Sequence, residues 1–237
     1  MDDFIFLDTE TTGNDIVTDR LFQLCFKYKE TLKSEYFKPP LPIGVKAQSI
    51  THVTNKMVSE KPAFAQSHIK QELSELLQKH ILVAHNAVFD IAMLSQEGIE
   101  VPQFICTLKV ARALDTNCVI PEYNLQYLRY YLELDIEALS HEAKDDVLVL
   151  EALFGRLLQK MLTITPDPSE AIEKMVKISL EPSLFKQFPF GKYRGKRIED
   201  VIMADRPYVQ WLLEQKLQST GMEEDWIYTL KYHLKTS

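Results

Sequence analysis

The sequence predicts an α/β fold, in which helices flank a mixed β-sheet and a small α+β domain follows at the C-terminus. Three observations lead to this expectation. Strand-like apolar runs come first, amphipathic helical segments then alternate with short apolar runs, and a proline-containing stretch precedes a basic, aromatic region. Strands that are followed by alternating helices and strands are typical of a mixed sheet with helices on its faces.

The N-terminal part is expected to supply three strands before the first long helix. Residues 4–7 form an apolar run between acids, and residues 21–28 and 32–37 are predicted to be neighbours in a hairpin. A helix is predicted over 66–80 and a buried strand over 81–84. The helix prediction depends on apolar residues at helical spacing, which are Ile69, Leu73, Leu76 and Leu77.

The next segment alternates helices with one further strand. The predicted elements are a helix over 88–96, a short strand at 104–105 and helices over 108–114, 124–132 and 142–162. Gly98 ends the first of these helices, and Asn124 is a suitable N-cap for the third. The last helix has an apolar face that consists of Val147, Leu150, Leu153, Phe154 and Leu157.

The domain organisation follows from a change of composition at Thr163. The stretch TITPDPSE carries Pro166 and Pro168 and lacks apolar periodicity, which indicates a linker, and a short helix is expected over 171–178. The predicted organisation is a first domain over 1–163, a linker with that helix over 164–181, and a C-terminal domain over 182–237.

Net charge, cysteine content and the distribution of apolar residues limit which kinds of protein this chain is expected to be. The net charge of −7 argues against a general nucleic-acid binder, although acids at a metal site count as negative until cations bind them. The three cysteines are scattered, which favours reduced thiols over a disulfide or a zinc site. Neither a signal peptide nor a membrane span is evident in the sequence, so we expect a cytoplasmic protein.

Asp8 and Glu10 are the first candidates for a metal site. They lie two residues apart at the carboxyl end of the first predicted strand, so their side chains project from the same face. Hard divalent ions such as Mg²⁺ take oxygen ligands of this kind, with water and substrate phosphate completing the shell. Gly13 turns the chain away and is expected to leave room for a substrate backbone.

Three further residues complete the candidate site. Asp90 follows a buried strand and the pair His85-Asn86, Asp146 lies in the last long helix of this domain, and His141 precedes Asp146 by five residues. An imidazole that titrates near neutrality suits proton abstraction from water. Each residue alone has an ordinary structural explanation, but four carboxylates and one histidine in this order together indicate a two-metal phosphodiesterase.

These residues lie in segments that resemble the motifs of DEDDh exonucleases, a family of the ribonuclease H-like superfamily. FLDTETTG is similar to the first motif, AHNAVFD to the second and HEAKDDV to the third. The segments SITHVTNKMV, ICTLKVAR and YNLQYL agree with this resemblance, which covers residues 4–162. It implies a ribonuclease H-like mixed sheet and 3′-to-5′ hydrolysis that releases 5′-mononucleotides.

The resemblance also implies a role for each residue. Asp8 would bridge two Mg²⁺ ions, for which Mn²⁺ would substitute. Glu10 and Asp146 would hold the metal that activates water, Asp90 would hold the metal beside the leaving oxygen, and His141 would deprotonate the attacking water.

The terminal nucleotide is expected to bind beside the first motif. The predicted contacts are Thr11, Thr12 and Gly13, with His52 and Phe89 as additional candidates. Core packing is an equally good explanation for Phe89.

A basic, aromatic island stands out in the C-terminal region. Between Ser183 and Ile198 the sequence contains no acid, and the loop FGKYRGK carries cations between two glycines. Lysine and arginine bind phosphates and tyrosine stacks on bases, which favours nucleic-acid contact over a merely solvated hairpin. The predicted contacts are Lys192, Tyr193, Arg194 and Lys196.

Residues 182–213 resemble the small C-terminal domain of the exodeoxyribonuclease X branch of this family. That resemblance implies a bacterial repair enzyme that acts on DNA single strands and on duplex 3′ ends. Three alternatives remain open at this point: a proofreading subunit of a polymerase, a 3′-to-5′ exoribonuclease, and a binding module without catalysis. The oligomeric state is also open.

Overall fold

The computed structural model describes residues 3–136, 143–219, 221 and 223–236. Its centre is a five-stranded mixed sheet with the strand order β3-β2-β1-β4-β5. The strands are β1 (Phe4–Thr11), β2 (Leu21–Tyr28), β3 (Thr31–Tyr36), β4 (Ile81–Ala84) and β5 (Phe104–Cys106). The first three are antiparallel neighbours, whereas β4 and β5 run parallel to β1. This arrangement confirms the predicted fold class.

Helices cover both faces of the sheet and form the C-terminal region. They are α1 (Val45–Thr51), α2 (Asn55–Val58), α3 (His68–Leu77), α4 (Ala87–Gln96), α5 (Thr107–Leu114), α6 (Leu125–Tyr131), α7 (Ala143–Leu162), α8 (Pro168–Leu180), α9 (Ile198–Gln218) and α10 (Glu224–Thr236). Short 3₁₀ turns lie at Phe64–Gln66 and Gly191–Tyr193. Among the described helices, none is both long and apolar enough to cross a membrane.

The central strand β1 contributes side chains to two hydrophobic cores. Phe4 and Phe6 pack into the core that α7 covers, and Ile5 and Leu7 pack into the core that α3 covers. A strand that is buried on both faces has a continuous apolar sequence, because neither set of alternating side chains faces water. The run FIFL therefore fixes β1 in the middle of the sheet, and its carboxyl end positions the acids that follow.

The segment predicted as a linker is part of the first core. Helix α8 begins at Pro168, earlier than the predicted residue 171, with Asp167 as its N-cap. Ala171 and Met175 are buried in the core of the sheet, and the Ser179 hydroxyl accepts a hydrogen bond from the Cys106 amide at 2.8 Å. The prolines indicated a loop by composition, but proline at the first turn after an aspartate cap is also a helix start.

The C-terminal region packs around its own aromatic core. Helices α9 and α10 enclose Phe188 and Trp226, whose rings stack 5.8 Å apart. Its β-structure consists of two isolated bridges, Gln187 to Arg197 and Phe188 to Arg194. Helix α9 is kinked at Asp205, two residues before Pro207, because proline disrupts the helical hydrogen bonds that precede it.

Candidate active site

Three carboxylates converge at the carboxyl end of β1. Asp8 and Glu10 project from the same face of the strand, and Asp146 reaches them from the first turn of α7. One oxygen from each side chain lies within 4.8 Å of the others, which is a spacing that allows shared ligation of a cation. The structure therefore brings together three of the predicted metal ligands, and they are called the acid cluster below.

Asp90 is held beside this cluster by Thr9. Strand β1 pairs with β4 only through Phe4 to Phe6, so the amide of Thr9 has no strand partner on that side. The Asp90 carboxylate accepts this amide at 3.1 Å and the Thr9 hydroxyl at 2.7 Å through one oxygen. Asp90 lies in the first turn of α4, and its charge acts on both Asp8 and Glu10.

Gln126 is a contact that sequence reasoning missed. Its side-chain amide donates a hydrogen bond to Asp146, and its carbonyl oxygen accepts one from the buried Arg129. Gln126 thereby fixes the orientation of Asp146 from helix α6. The residue lies within YNLQYL, but its role depends on how α6 packs against α7, and no sequence pattern within α6 indicates that packing.

The electrostatics of the acids follow from burial and mutual repulsion. Burial raises the pKa of Asp8 well above its ordinary value, and the charges of Asp90, Glu10 and Asp146 raise it further. Burial, Asp146 and Asp90 together raise the pKa of Glu10 to about 7. The pKa of Asp90 is raised to about 7 as well, because burial outweighs the hydrogen bonds from Thr9.

This donor set fits divalent cations. Within the described part of the chain, Asp8, Glu10 and Asp90 take part in no salt bridge. Buried carboxylates without a cationic partner are costly unless a metal ion compensates them. Oxygen ligands without nitrogen or sulfur are typical of sites for hard ions such as Mg²⁺ or Mn²⁺.

Comparison with protein families identifies the class of enzyme. The family model RNase_T, which is described as "Exonuclease", matches residues 5–154. The chain belongs to this exonuclease family. It is therefore a hydrolase of phosphodiester bonds, which confirms the predicted family and enzyme class. The match extends from β1 to the middle of α7 and includes every residue of the acid cluster.

Individual relatives match more of the chain. Exodeoxyribonuclease 10 of Escherichia coli (strain K12) is 31% identical over 209 residues, covering 86% of this chain and 85% of that protein. The DNA polymerase III subunit epsilon of Treponema pallidum is 30% identical over 166 residues, covering 65% of this chain and 76% of that protein.

Two solved structures show the same fold. Exonuclease X in complex with 5′ overhanging duplex DNA has a TM-score of 0.57 at 24% identity and matches 74% of this chain and 99% of that chain. E. coli Exonuclease I in complex with a dT13 oligonucleotide has a TM-score of 0.58 at 18% identity and matches 69% of this chain and 42% of that chain.

The predicted base of this exonuclease, His141, lies outside the described residues. A different histidine, His85, is held between the Thr107 hydroxyl at 2.9 Å and the Tyr123 carbonyl oxygen at 2.8 Å. Burial lowers the pKa of His85 to about 4, so it is neutral at physiological pH. Its ring fixes β4 to the segment before α6, which is a structural rather than an acid–base role.

Residues predicted for the terminal nucleotide form internal contacts. The Thr11 hydroxyl donates to the Gly13 carbonyl oxygen, and the Thr12 hydroxyl donates to Asp19, each at 2.7 Å. A Cβ atom on Gly13 would lie 2.5 Å from an Asp19 oxygen, so the missing side chain makes room for Asp19. This explains Gly13 without a substrate, and the nucleotide contacts stay a prediction.

His52 and Phe89 occupy different surroundings. His52 is exposed and ends α1 with a left-handed backbone conformation, at φ 58°. Phe89 is half-buried in α4, directly before Asp90. Both assignments to the substrate stay predictions.

The cations of the C-terminal loop have intramolecular acidic partners in two cases. The Lys192 ammonium lies 2.9 Å from Asp205, and the Arg194 guanidinium lies 2.9 Å from Glu122. The Tyr193 hydroxyl also donates to Asp205 at 2.6 Å, and its ring packs edge-on against Tyr208. Tyr193 thus packs partly against the C-terminal core. The exposed Lys196 forms no salt bridge within the described residues.

Proposed function

We propose that the protein is a 3′-to-5′ exodeoxyribonuclease that uses two Mg²⁺ ions to hydrolyse terminal phosphodiester bonds of DNA, releases 5′-mononucleotides, and acts in DNA repair in the cytoplasm. The observation that carries this proposal is the acid cluster of Asp8, Glu10 and Asp146, whose oxygens lie within 4.8 Å of one another. The site belongs to an exonuclease family, and three carboxylates that converge on one point suit metal-assisted hydrolysis.

Each side chain has a defined task in this proposal. The acid cluster and Asp90 would hold the cations, which would supply electrostatic stabilisation of the charge that develops during phosphodiester hydrolysis. Gln126 keeps the Asp146 carboxylate aimed at the cluster. Thr9 does the same for Asp90 through its amide and its hydroxyl. His141 accepts the proton of the attacking water, which suits an imidazole near neutral pH.

The assignment to DNA is supported by the relatives. Exodeoxyribonuclease 10 matches 86% of this chain, so the similarity extends beyond the sheet domain. The name of that relative specifies DNA as its substrate. The solved complexes of Exonuclease X and Exonuclease I contain DNA in a protein of the same fold.

The C-terminal loop is proposed to contact DNA phosphates. Lys192 and Arg194 are more than half exposed despite their acidic partners, with side-chain exposures of 57% and 66%. Solvent screens such surface pairs strongly, so exchanging Asp205 or Glu122 for a phosphate costs little. Lys196 needs no exchange at all.

The function is tested with 5′-labelled single-stranded DNA and the RNA of the same sequence, each with Mg²⁺ and with chelator. The proposal expects a metal-dependent ladder that shortens from the 3′ end and forms faster on DNA. Asp8→Asn is the matched control, because it removes one ligand charge and keeps the side-chain volume. A faster RNA ladder would assign the protein to the ribonucleases, and turnover by Asp8→Asn equal to wild type would refute the metal assignment.

A further inference from the structure

Helix α6 carries three tyrosines on one side, and we call them the tyrosine face: Tyr127, Tyr130 and Tyr131. Tyr130 is 70% exposed and Tyr131 is 44% exposed. The rings of Tyr127 and Tyr131 lie 5.9 Å apart and are inclined by only 22°. With Asn124 and Gln126 they line an open cleft of about 460 Å³.

This cleft adjoins the acid cluster through a single side chain. Gln126 lines the cleft and also donates its hydrogen bond to Asp146. The buried Arg129 contacts two of the lining residues, because it donates to Gln126 and approaches the Tyr130 ring at 5.2 Å. A molecule bound at the acid cluster therefore has the tyrosine face within reach.

Two contacts connect the lining of the cleft to the segment that pairs with the C-terminal loop. The Tyr131 hydroxyl donates to the Val119 carbonyl oxygen at 3.5 Å. Asn124 donates to Glu122, and Glu122 in turn pairs with Arg194. Helix α6 and its N-cap Asn124 are thus linked both to Asp146 of the acid cluster and, through Glu122, to Arg194 of the cationic loop.

The chemistry of this surface fits nucleobases. Aromatic side chains bind single strands by stacking, which tolerates any sequence because every base has a π-face. Charge attraction is limited here, because the chain has a net charge of −7 and its functional centre is acidic. A single strand therefore needs contacts other than phosphate pairing beside the cluster, and exposed rings supply them.

We propose that the tyrosine face binds the single-stranded segment of the nucleic acid that flanks the bond at the acid cluster, by stacking its bases on Tyr130 and Tyr131. The proposal rests on the proposed function, because it assigns a substrate contact to the same site. Helix α6 would then have two roles: Gln126 orients Asp146, a proposed metal ligand, and the tyrosines bind the single strand.

The test compares the double variant Tyr130→Ala/Tyr131→Ala with wild type on a twelve-nucleotide single strand and on a dinucleotide. Base stacking on one ring is worth about 1–3 kcal/mol, which corresponds to about 5- to 150-fold. The KM for the twelve-mer should rise at least about fivefold and by more than the KM for the dinucleotide. Tyr130→Trp/Tyr131→Phe should restore most of the affinity, because stacking needs a ring and not the hydroxyl.

A matched control is Tyr228→Ala/Tyr232→Ala, since these tyrosines are 43% and 44% exposed on α10 and their rings lie 6.5 Å apart. Both KM values of this control should equal those of wild type. An unchanged twelve-mer KM in Tyr130→Ala/Tyr131→Ala would overturn the proposal. So would a change of sedimentation mass with an unchanged KM, which would make the face a contact between copies of the chain.

Failure of the proposed function gives a different result. In that case wild type hydrolyses neither substrate with Mg²⁺ present. Fluorescence anisotropy of the twelve-mer on Asp8→Asn, with and without the two alanines, then decides the role of the tyrosines by itself. Weaker binding by about fivefold or more supports stacking, and equal binding refutes it. Melting curves of every variant show whether the fold is retained.

Discussion

The acid cluster with Asp90 and the C-terminal loop each bring together side chains of the same charge. The two regions differ in whether those side chains have partners of opposite charge. Within the described residues, Asp8, Glu10 and Asp90 have no cationic partner, whereas Lys192 and Arg194 each have an acid at 2.9 Å. The pKa of Asp205 falls to about 2 because Tyr193 and Lys192 donate to it, while the pKa of Glu10 rises to about 7. Carboxylates withdrawn from water without a cationic partner indicate a cation that binds there, whereas exposed cations that already have acidic partners indicate a structural role as readily as a binding role.

The largest effect is expected at Asp8. Asp8→Asn should abolish turnover, because it removes a ligand and a negative charge from the acid cluster. The same variant should unfold at a higher temperature than wild type in chelator, since it removes the repulsion that raises the pKa values of the acids. Gel assays and thermal melts measure the two effects. A lower melting temperature in chelator would show that the carboxylates are compensated within the protein.

The next effect concerns the base. His141→Ala should lower the rate by about 10²–10⁴, the usual contribution of general-base catalysis, while metal and DNA binding persist. Single-turnover rates at saturating enzyme separate these steps. His85→Gln serves as a contrasting variant, because its effect should appear in the melting temperature. Loss of DNA binding with an unchanged rate per bound complex would make His141 a substrate contact.

The pH dependence of stability tests the cluster directly. The pKa of Glu10 is about 7 in the folded protein and lies near 4.5 without these surroundings, so the folded state binds the proton more tightly. In chelator, the resulting stability is complete below about pH 4.5 and is lost as the pH rises through 7, on the order of 3 kcal/mol for this group. Urea unfolding at several pH values measures it.

Bound Mg²⁺ should oppose the loss of stability that is expected as the pH rises in chelator. With Mg²⁺ the free energy of unfolding should rise above the chelator value most strongly at pH 8, because the ionised acids bind the cation. Glu10→Gln should flatten the chelator profile. A profile that is identical with and without Mg²⁺ would contradict a metal site at these residues.

A smaller effect is expected at Gln126. Gln126→Ala should lower metal affinity or activity by about 10- to 100-fold, because partners that orient a ligand typically contribute this much. Gln126→Glu should be no better, since it adds a like charge beside Asp146. Titration of Mg²⁺ against the rate measures both variants, and a wild-type titration curve for Gln126→Ala would remove the residue from the site.

The smallest effect is expected at the C-terminal loop. Replacing Lys192, Arg194 and Lys196 with alanine should weaken DNA binding modestly. The slope of log affinity against log salt should become less negative by about one for each phosphate that the variant no longer binds. The control removes three exposed lysines elsewhere, Lys79, Lys160 and Lys231. Equal slopes for the two triple variants would assign the loop to a purely structural role.

Local periodicity predicted the sheet and the pairing of Asp8 with Glu10, whereas Asp90 and Asp146 were predicted only from the order of the motifs and their resemblance to DEDDh exonucleases. Alternation along FIFLDTE places Asp8 and Glu10 on one face, and the buried run before them identifies a central strand. The same reasoning failed for Gln126 and for the partners of Lys192 and Arg194, because these contacts join residues that lie 13 to 72 positions apart. Spacing within one element carries no information about which distant element will pack beside it.

Helix α8 begins within the segment that its prolines had indicated to be a linker. Pro166 and Pro168 indicated a linker, but the aspartate between them caps the helix, and proline is favoured in its first turn. The periodic apolar residues Ala171 and Met175 then pack against β5 and α5. The proline pair therefore marks the start of a helix that packs on the sheet, and the predicted division into domains stays a prediction.

The packing of α8 determines where the chain can be truncated without exposing the sheet core. A truncation after Thr163 would strip apolar cover from β5 and leave the Cys106 amide without its Ser179 partner, so the shortened protein should aggregate. A cut after Glu181 keeps that layer intact. A C-terminal region grafted onto this sheet would therefore have to be joined after α8, because α8 is part of the layer that covers β5.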